Sequence, residues 1–467
     1  MAQRVLSDRW LRNFFLIADI VGYPLAFCLA YWLRMQIFRP ELLATWFVLG
    51  FGAINVFCLY LFNLYELDPQ APTRRKPLQT LGVVLIASCV IVLIAFFFGA
   101  VEFRDTIGRG VLIGAQVIFA LWSAGFRLWL GRWFRHASRR MRWLVLGTDE
   151  NLRPFIGDLK ASQLTGQFVF LTPEGKPLAL DNGTPLGPGL SINLQGAWSE
   201  LENLAREPWT GIVAGAGNQL PDAMVESLLK IRLNGVRVID LADFYEATWF
   251  KVPVHYLQRS WFALAQGFQL LHNPIGLRLK YICDVLGAGL LLLLSSPILL
   301  LAALAIKLES PGPLIFKQTR VGENGKLFTV YKLRSMREDA ERDGAAWATK
   351  GDPRVTRVGS FIRATRIDEL PQLINVLKGE MSFIGPRPER PEFMDQLEGA
   401  IPFYNLRHIL RPGVTGWAQV MYPYGASIED ARQKLQFELY YIKNYSLLLD
   451  VEIVLRTIRV VLFGRGR

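Results

Sequence analysis

Apolar positions dominate the first third of the chain in four stretches, at about 13–33, 43–64, 80–101 and 110–131. Each approaches the roughly 20 residues a helix needs to cross a bilayer. From Trp143 the pattern changes. Trp143-Leu144-Val145-Leu146-Gly147 reads as a strand, residues 151–161 as a helix, and residues 168–171 and 212–214 as short strands. Pro221, the favoured first helical position, and the stop signal Asn234-Gly235 bracket a further helix, after which residues 236–239 return to a strand pattern. This alternation predicts a small Rossmann-like parallel sheet over 142–258, behind four spans in 1–135.

A fifth apolar run, 285–306, is the most hydrophobic of all. Ser295-Ser296-Pro297 interrupts it, and both flanks are basic, with Arg278 and Lys280 before and Lys307, Lys317 and Arg320 after. Proline removes a helix hydrogen bond, and matching basic flanks give no pull across the bilayer. A helix broken at Ser296 and Pro297, dipping into one leaflet over about 281–308, fits best. A kinked spanning helix is the alternative.

Charge sharpens this picture. The 467 residues are 51% hydrophobic and 20% charged, with net charge +12; a usual soluble protein is about 25% charged. Residues 1–142 hold 16 Lys and Arg against 7 Asp and Glu, residues 143–272 hold 9 against 13, and residues 273–467 hold 27 against 20. The basic parts are also the apolar ones, which favours a membrane surface over nucleic acid. Arg4, Arg9 and Arg12, then Arg74, Arg75 and Lys76, then Arg132, Arg135, Arg139, Arg140 and Arg142 flank alternate ends of the spans, whereas the other loops carry Arg34 with Arg39 and Arg104 with Arg109. The positive-inside bias then keeps the N-terminus and residue 140 onward in the cytoplasm. Asp19, inside the first span, is either functional or paired with a nearby arginine, and pairing is the preferred reading. Cys28, Cys58, Cys89 and Cys283 lie in apolar stretches without paired spacing, and the four histidines are scattered, including His272. This excludes a disulfide framework and a Cys-based zinc site. Gly147 alone after the first strand, and Gly215-Ala216-Gly217 with Leu220 where a third glycine belongs, make a poor nucleotide fingerprint.

The chemistry concentrates in 307–420. Ser310-Pro311-Gly312-Pro313 is a rigid turn, and Lys317, Arg320, Lys326, Lys332 and Arg334 space cations along a strand-like segment. Arg354, Arg357, Arg363 and Arg366 lead into Asp368-Glu369, and Leu370, Leu373, Ile374 and Leu377 have helical spacing, with Pro371 tolerable in a first turn. Carboxylates at a helix N-terminus stabilise any helix. Surrounded by cations, the same place suits phosphate, and Mg2+ would bring oxygen-rich phosphates toward Asp368 and Glu369. Arg387, between Pro386 and Pro388, and Arg411, in Arg411-Pro412-Gly413-Val414-Thr415-Gly416, are further rigid cations.

The stretches SSPILLLAALAIKLESPGPLIFKQTRVGENGKLFTVYKLRSM, DPRVTRVGSFIRATRIDELPQLINVLKGEMSFIGPRP and RPGVTGWAQV cover most of residues 278–467. They resemble the bacterial sugar transferase family, the monotopic polyprenyl-phosphate hexose-1-phosphate transferases. The front and middle resemble its long members, which initiate exopolysaccharide, capsule or O-antigen units. The resemblance implies a membrane protein of α plus α/β class: a four-helix transmembrane bundle, a Rossmann-like cytosolic domain, and an α/β catalytic domain over 273–467 with a re-entrant helix. It implies transfer of hexose-1-phosphate from a UDP-hexose to undecaprenyl phosphate with release of UMP, in the bacterial inner membrane, facing the cytoplasm. Asp368 would be the nucleophile and Glu369 a Mg2+ ligand or proton handler, with Mg2+ held by Asp368 and Glu369. Lys317, Arg320, Lys332, Arg334, Arg363, Arg387 and Arg411 would contact phosphate or nucleotide, with membrane lipids alongside, and long members suggest a homodimer. Two motifs depart from the family: Lys280-Tyr281 replaces Lys-Arg, and Lys332-Leu333-Arg334-Ser335-Met336 replaces Lys-Phe-Arg-Ser-Met. Ser446 would cap a last helix to about Phe463, either amphipathic on the membrane or buried. A lipid-linked sugar transporter with a regulatory rear, or an assembly scaffold, are the competing classes; the apolar front half lacks the polar lining a transporter needs.

Overall fold

The structure, a computed structural model, describes residues 8–65, 75–98, 109–138, 141–162, 164–175, 189–193, 196–215, 220–257, 261–262, 265–268, 273–338, 340, 352–422, 425 and 427–463. Arg4, Arg74, Arg104, Arg139, Arg140, Ala216, Gly217, His272 and the end of the expected third span lie outside the described residues, as do the side chains of Arg9, Arg75 and Arg135. The chain forms two compact units, Met1–Thr248 and Trp249–Arg467.

In the first unit the apolar stretches become α1 (Asp8–Met35), α2 (Trp46–Leu61), α3 (Arg75–Phe98) and α4 (Arg109–Ser138). Three of them hold segments long and apolar enough to cross a membrane: Arg12–Met35, Lys76–Ala95 and Arg109–Trp133. The second expected span is shorter than the sequence suggests. Its 16 helical residues reach about 24 Å, against a hydrocarbon core of ~30 Å. Pro40–Ala44 forms a separate 3-10 turn, the Thr45 hydroxyl donates to the Leu42 carbonyl at 2.8 Å, and Asn63 turns left-handed (φ 62°) after the helix. Phe15, Tyr23, Phe27, Phe51, Ile91 and Phe119 pack the helices together.

The rest of this unit is a parallel five-stranded sheet of β1 (Arg142–Gly147), β2 (Gly166–Leu171), β3 (Leu190–Asn193), β4 (Gly211–Gly215) and β5 (Val238–Asp240), in the order β3-β2-β1-β4-β5. Its helices are α5 (Asp149–Ala161), α6 (Leu201–Leu204), α7 (Asp222–Leu233) and α8 (Leu241–Trp249). Both sheet faces are buried, as a parallel sheet requires. Leu144, Leu146, Val169 and Ile212 pack on Trp198, Leu228 and Ile231 on one face; on the other, Trp143, Phe155 and Phe168 meet Phe244 edge-on. Pro221 caps α7 from outside, and β5 starts two residues later than its apolar run. At the turn after β1 a Cβ on Gly147 would lie 2.7 Å from Leu152, and Asn151 donates to the Gly215 carbonyl at 2.9 Å. Leu152 and Asn151 thus hold the turn after β1.

The longest helix of the second unit is α9 (Pro274–Glu309), of 36 residues. The expected break at Ser296 and Pro297 is absent: the helix runs through Pro297. Proline leaves the Leu293 carbonyl without its amide partner, and the Ser296 hydroxyl donates to that carbonyl at 2.8 Å instead. Lys280, Asp284, Ala288, Ser295, Ala302 and Ile306 form its buried stripe, while Leu293, Leu294, Leu300 and Leu301 are exposed. The hairpin β6 (Ile315–Val321) and β7 (Leu327–Leu333) packs on this stripe, with α10 (Arg357–Ala364), a 3-10 turn Ile367–Gln372 and α11 (Leu373–Leu377). Then come β8 (Ser382–Ile384), α12 (Pro391–Ala400), a 3-10 turn Tyr404–Ile409, β9 (Gly413–Thr415), α13 (Trp417–Met421), α14 (Ile428–Lys443) and α15 (Leu447–Phe463). The Ser446 hydroxyl caps α15, accepting from the Leu449 amide at 3.2 Å, and Leu449 and Ile453 are its buried positions.

Candidate active site

Two apolar clusters hold α9 against the hairpin and the turn that follows α10. Ala288 meets Val330, Leu373 and Val376; Ala302 and Ile306 meet Leu333 and Ile362. At the joint between α10 and the 3-10 turn, Arg366 is left-handed (φ 61°), a strained state for a side chain of this kind. Its carbonyl accepts from the Glu369 amide at 3.2 Å. Asp368 and Glu369 therefore begin a tight 3-10 turn, with Pro371 inside it, rather than a regular α-helix. Each is 7% exposed.

The two carboxylates differ in company. Glu369 Oε1 accepts from Lys332 Nζ at 3.1 Å and Arg387 Nη2 at 2.8 Å, and Arg366 lies 3.7 Å from Oε2. Burial alone would raise the Glu369 carboxyl, but Arg387, Lys332 and Arg366 outweigh it and hold the group well below the usual range. Asp368 Oδ1 is buried with no hydrogen-bond partner. Burial, then the charge of Glu369, pushes Asp368 up to about 6, against the pull of Lys332, Arg366 and Arg363. Burial lowers the Lys332 ammonium against the attraction of Glu369, and burial with neighbouring Arg387 lowers Arg320 to about 10.

The motifs around Arg387 and Arg411 are joined backbone to backbone. Gly413 donates to the Pro386 carbonyl at 2.8 Å, and Gly385 to Thr415 at 3.0 Å. A Cβ on Gly413 would sit 2.1 Å from the Gly385 nitrogen, so only glycine allows this approach. Of the residues singled out by sequence, Glu369, Lys332 and Arg387 are in contact beside Asp368, on which Lys332 and Arg363 act by charge. Arg320 lies 3.7 Å from Glu389 and donates to the Pro388 carbonyl at 3.1 Å. Three others stand apart in their contacts. Lys317 is exposed on β6 opposite Tyr331. Arg334 donates to the carbonyls of Ser310 and Pro311, holding that turn. Arg411 lies over the Tyr281 ring and donates to Glu323 at 3.4 Å. Arg366 was not distinguishable by sequence from the arginines around it; its left-handed backbone is what brings it to Glu369.

Among the described residues no three His, Cys, Asp or Glu side chains could hold a metal ion by themselves. The unpartnered Asp368 oxygen beside Glu369 fits the habit of Mg2+, which takes one or two carboxylates and completes its shell with water and phosphates.

The buried acidic pair is thus ringed by cations and lies in the unit that carries the long apolar helix α9. Residues 275–464 match the model of the bacterial sugar transferase family, and the chain belongs to that family. It is 54% identical over 239 residues to the UDP-N-acetylgalactosamine-undecaprenyl-phosphate N-acetylgalactosaminephosphotransferase of Aeromonas hydrophila, covering 51% of this chain and 55% of that one. It is 49% identical to the UDP-glucose:undecaprenyl-phosphate glucose-1-phosphate transferase of Caulobacter vibrioides, over 42% of this chain and 73% of the relative. A Rhizobium leguminosarum exopolysaccharide production protein is 44% identical over 38% of this chain and 93% of its own length. The match thus spans about half of the Aeromonas relative and most of the shorter ones.

Proposed function

We propose that the chain transfers hexose-1-phosphate from a UDP-hexose to undecaprenyl phosphate, releasing UMP, as the first step of a surface polysaccharide. The observation that carries this reading is the asymmetry of the acidic pair. Glu369 is locked by three cations, whereas Asp368 keeps a buried, unpartnered oxygen. A carboxylate poorly solvated in this way is a better nucleophile than one in water. Asp368 forms a bond to the sugar-bearing phosphorus, and the bond from that phosphorus to UMP breaks, with its electron pair leaving on UMP. A phosphate oxygen of undecaprenyl phosphate then bonds to the same phosphorus, and the Asp368 carboxylate leaves.

Glu369 holds Lys332, Arg366 and Arg387 close to Asp368, where they offset the charge of an arriving diphosphate. Mg2+, held by Asp368 and Glu369, would neutralise part of that diphosphate charge when bound. Relatives named for UDP-glucose, UDP-N-acetylgalactosamine and exopolysaccharide production support the substrate class and the pathway. Membranes carrying the chain, given Mg2+, undecaprenyl phosphate and a panel of UDP-hexoses, release UMP with at least one of them. No release with any would sink the reading.

The second unit faces the cytoplasm and does not pass its long helix across the membrane. Both ends of α9 are tied to one body. Asp284 accepts from the Ser382 hydroxyl at 2.6 Å, Lys280 lies 3.2 Å from Asp450, and Glu309 accepts from the Arg357 amide at 2.8 Å. Its exposed leucines then lie in one leaflet with both helix ends on the same side, a placement that the basic flanks favour. The strand order of the first unit supports a Rossmann-like domain, of structural or regulatory use. A Lys326→Cys variant, exposed at the β6–β7 turn, is labelled only from the cytoplasmic side; labelling from outside contradicts this topology.

A further inference from the structure

Behind Arg387 lies a buried ion pair to which the transfer reaction assigns no task. Arg407, on the 3-10 turn Tyr404–Ile409, is 5% exposed, and Glu438, on α14, is 3% exposed. Arg407 Nη2 donates to Glu438 Oε1 at 2.8 Å and to the Arg387 carbonyl at 2.7 Å. The Arg387 amide donates to the same Glu438 oxygen at a long 3.4 Å. The pair therefore takes both backbone polar groups of Arg387, whose guanidinium donates to Glu369 at 2.8 Å. Pro386 precedes this residue, and Pro388 restricts its backbone to extended values. What remains free is the orientation of the two peptide planes, and that is what the pair fixes.

As a source of stability the pair is only partly satisfied. Arg407 Nη1 also donates to the Tyr404 hydroxyl and lies 4.0 Å from Glu389, but Glu438 Oε2 and Arg407 Nε are buried without partners among the described residues. Burial raises the Glu438 carboxyl even beside Arg407. Replacing a buried ion pair by apolar side chains of similar volume is often neutral or stabilising, so stability alone does not explain charges at this place.

We propose that Arg407 and Glu438 are positioning residues, which hold the Arg387 backbone so that its guanidinium meets both Glu369 and the substrate phosphate. This rests on the reading above, in which a UDP-hexose binds at the acidic pair. The test replaces the pair together, Arg407→Met with Glu438→Leu, and follows UMP release and thermal unfolding of the full chain. The unfolding temperature is kept, and kcat/KM for the UDP-hexose falls by about 100-fold, the size expected of a misplaced catalytic contact. In an Arg387→Ala background the same double replacement costs less than about threefold, because its target is gone. Equal losses in the two backgrounds, or unchanged activity in the first, overturn the proposal. Should the double variant not fold, Glu438→Gln is read through the same cycle. If the unmodified chain releases no UMP, the functional reading fails separately. Hydrogen exchange at the Arg387 amide then decides: faster exchange in the variant supports the clamp, and unchanged exchange overturns it.

Discussion

Two buried acidic sites, one in each unit, show how differently a carboxylate is treated when it holds a fold and when it faces a reaction. In the first unit Asp19 is fully buried between α1 and α4. Its Oδ1 accepts from the Ser123 hydroxyl at 2.8 Å and its Oδ2 from Arg127 at 2.8 Å. Arg127 also donates to the Leu64 carbonyl and lies over the rings of Phe15 and Tyr65. Every oxygen is used, and one cation balances one anion, as the sequence reading preferred for Asp19. In the second unit two adjacent carboxylates face three close cations, and one buried oxygen is left without a partner. A satisfied pair resists change, whereas an unsatisfied oxygen beside surplus positive charge is prepared for something that arrives.

Replacing Asp368 separates the two sites most strongly. Asp368→Asn is expected to reduce UMP release by at least about 10³-fold, the scale seen when a nucleophile is lost. The same change should raise stability at pH 7–8. The folded pKa of about 6 lies above the ordinary value of 3.8, so ionisation in the folded state opposes folding fully above about pH 6 and not at all below pH 3.8. Removing the charge should therefore add on the order of 2 kcal/mol, read from thermal unfolding across pH. A gain over the unmodified chain that is no larger at pH 8 than at pH 4 would remove the burial argument for Asp368.

A smaller effect comes from pH alone. Protonation of Asp368 should make kcat/KM fall about tenfold per unit below pH 6, and Asp368→Glu should shift that limb. A profile flat down to pH 5 contradicts the assignment. Smallest in activity is Asp19→Asn, which should change turnover per folded molecule less than about twofold. It should nonetheless lower thermal stability in detergent, because Arg127 loses its counter-charge, a loss of roughly 3 kcal/mol. A large loss of turnover with stability intact would make Asp19 functional after all.

Much of the fold could be read along the chain, where local pattern and tertiary structure agree. The apolar runs of β1, β2 and β4 and the Pro221 and Asn234 boundaries of α7 are local signals. β3 has four residues and α8 nine, too few to carry a period. The continuity of α9 through Pro297 depends on one hydroxyl finding one carbonyl, which spacing does not reveal. At the site, Asp368, Glu369, Lys332 and Arg387 were legible because rigid turns and clustered cations mark them. The surroundings were not: Arg334 looks like Lys332 in sequence, yet it closes the Ser310-Pro311 turn. Arg407 and Glu438 carry no local mark, since only the packing of α14 against the turn at Tyr404 brings them to Arg387.

The covalent step on Asp368 is the centre of this account, and one measurement reaches it directly. The full chain is incubated with Mg2+ and its UDP-hexose in the absence of undecaprenyl phosphate, and peptides are analysed by mass spectrometry alongside UMP. A burst of UMP is expected, matched by a hexose-phosphate adduct on Asp368 that undecaprenyl phosphate then discharges. UMP formed only when both substrates are present, with Asp368 unmodified, would contradict it.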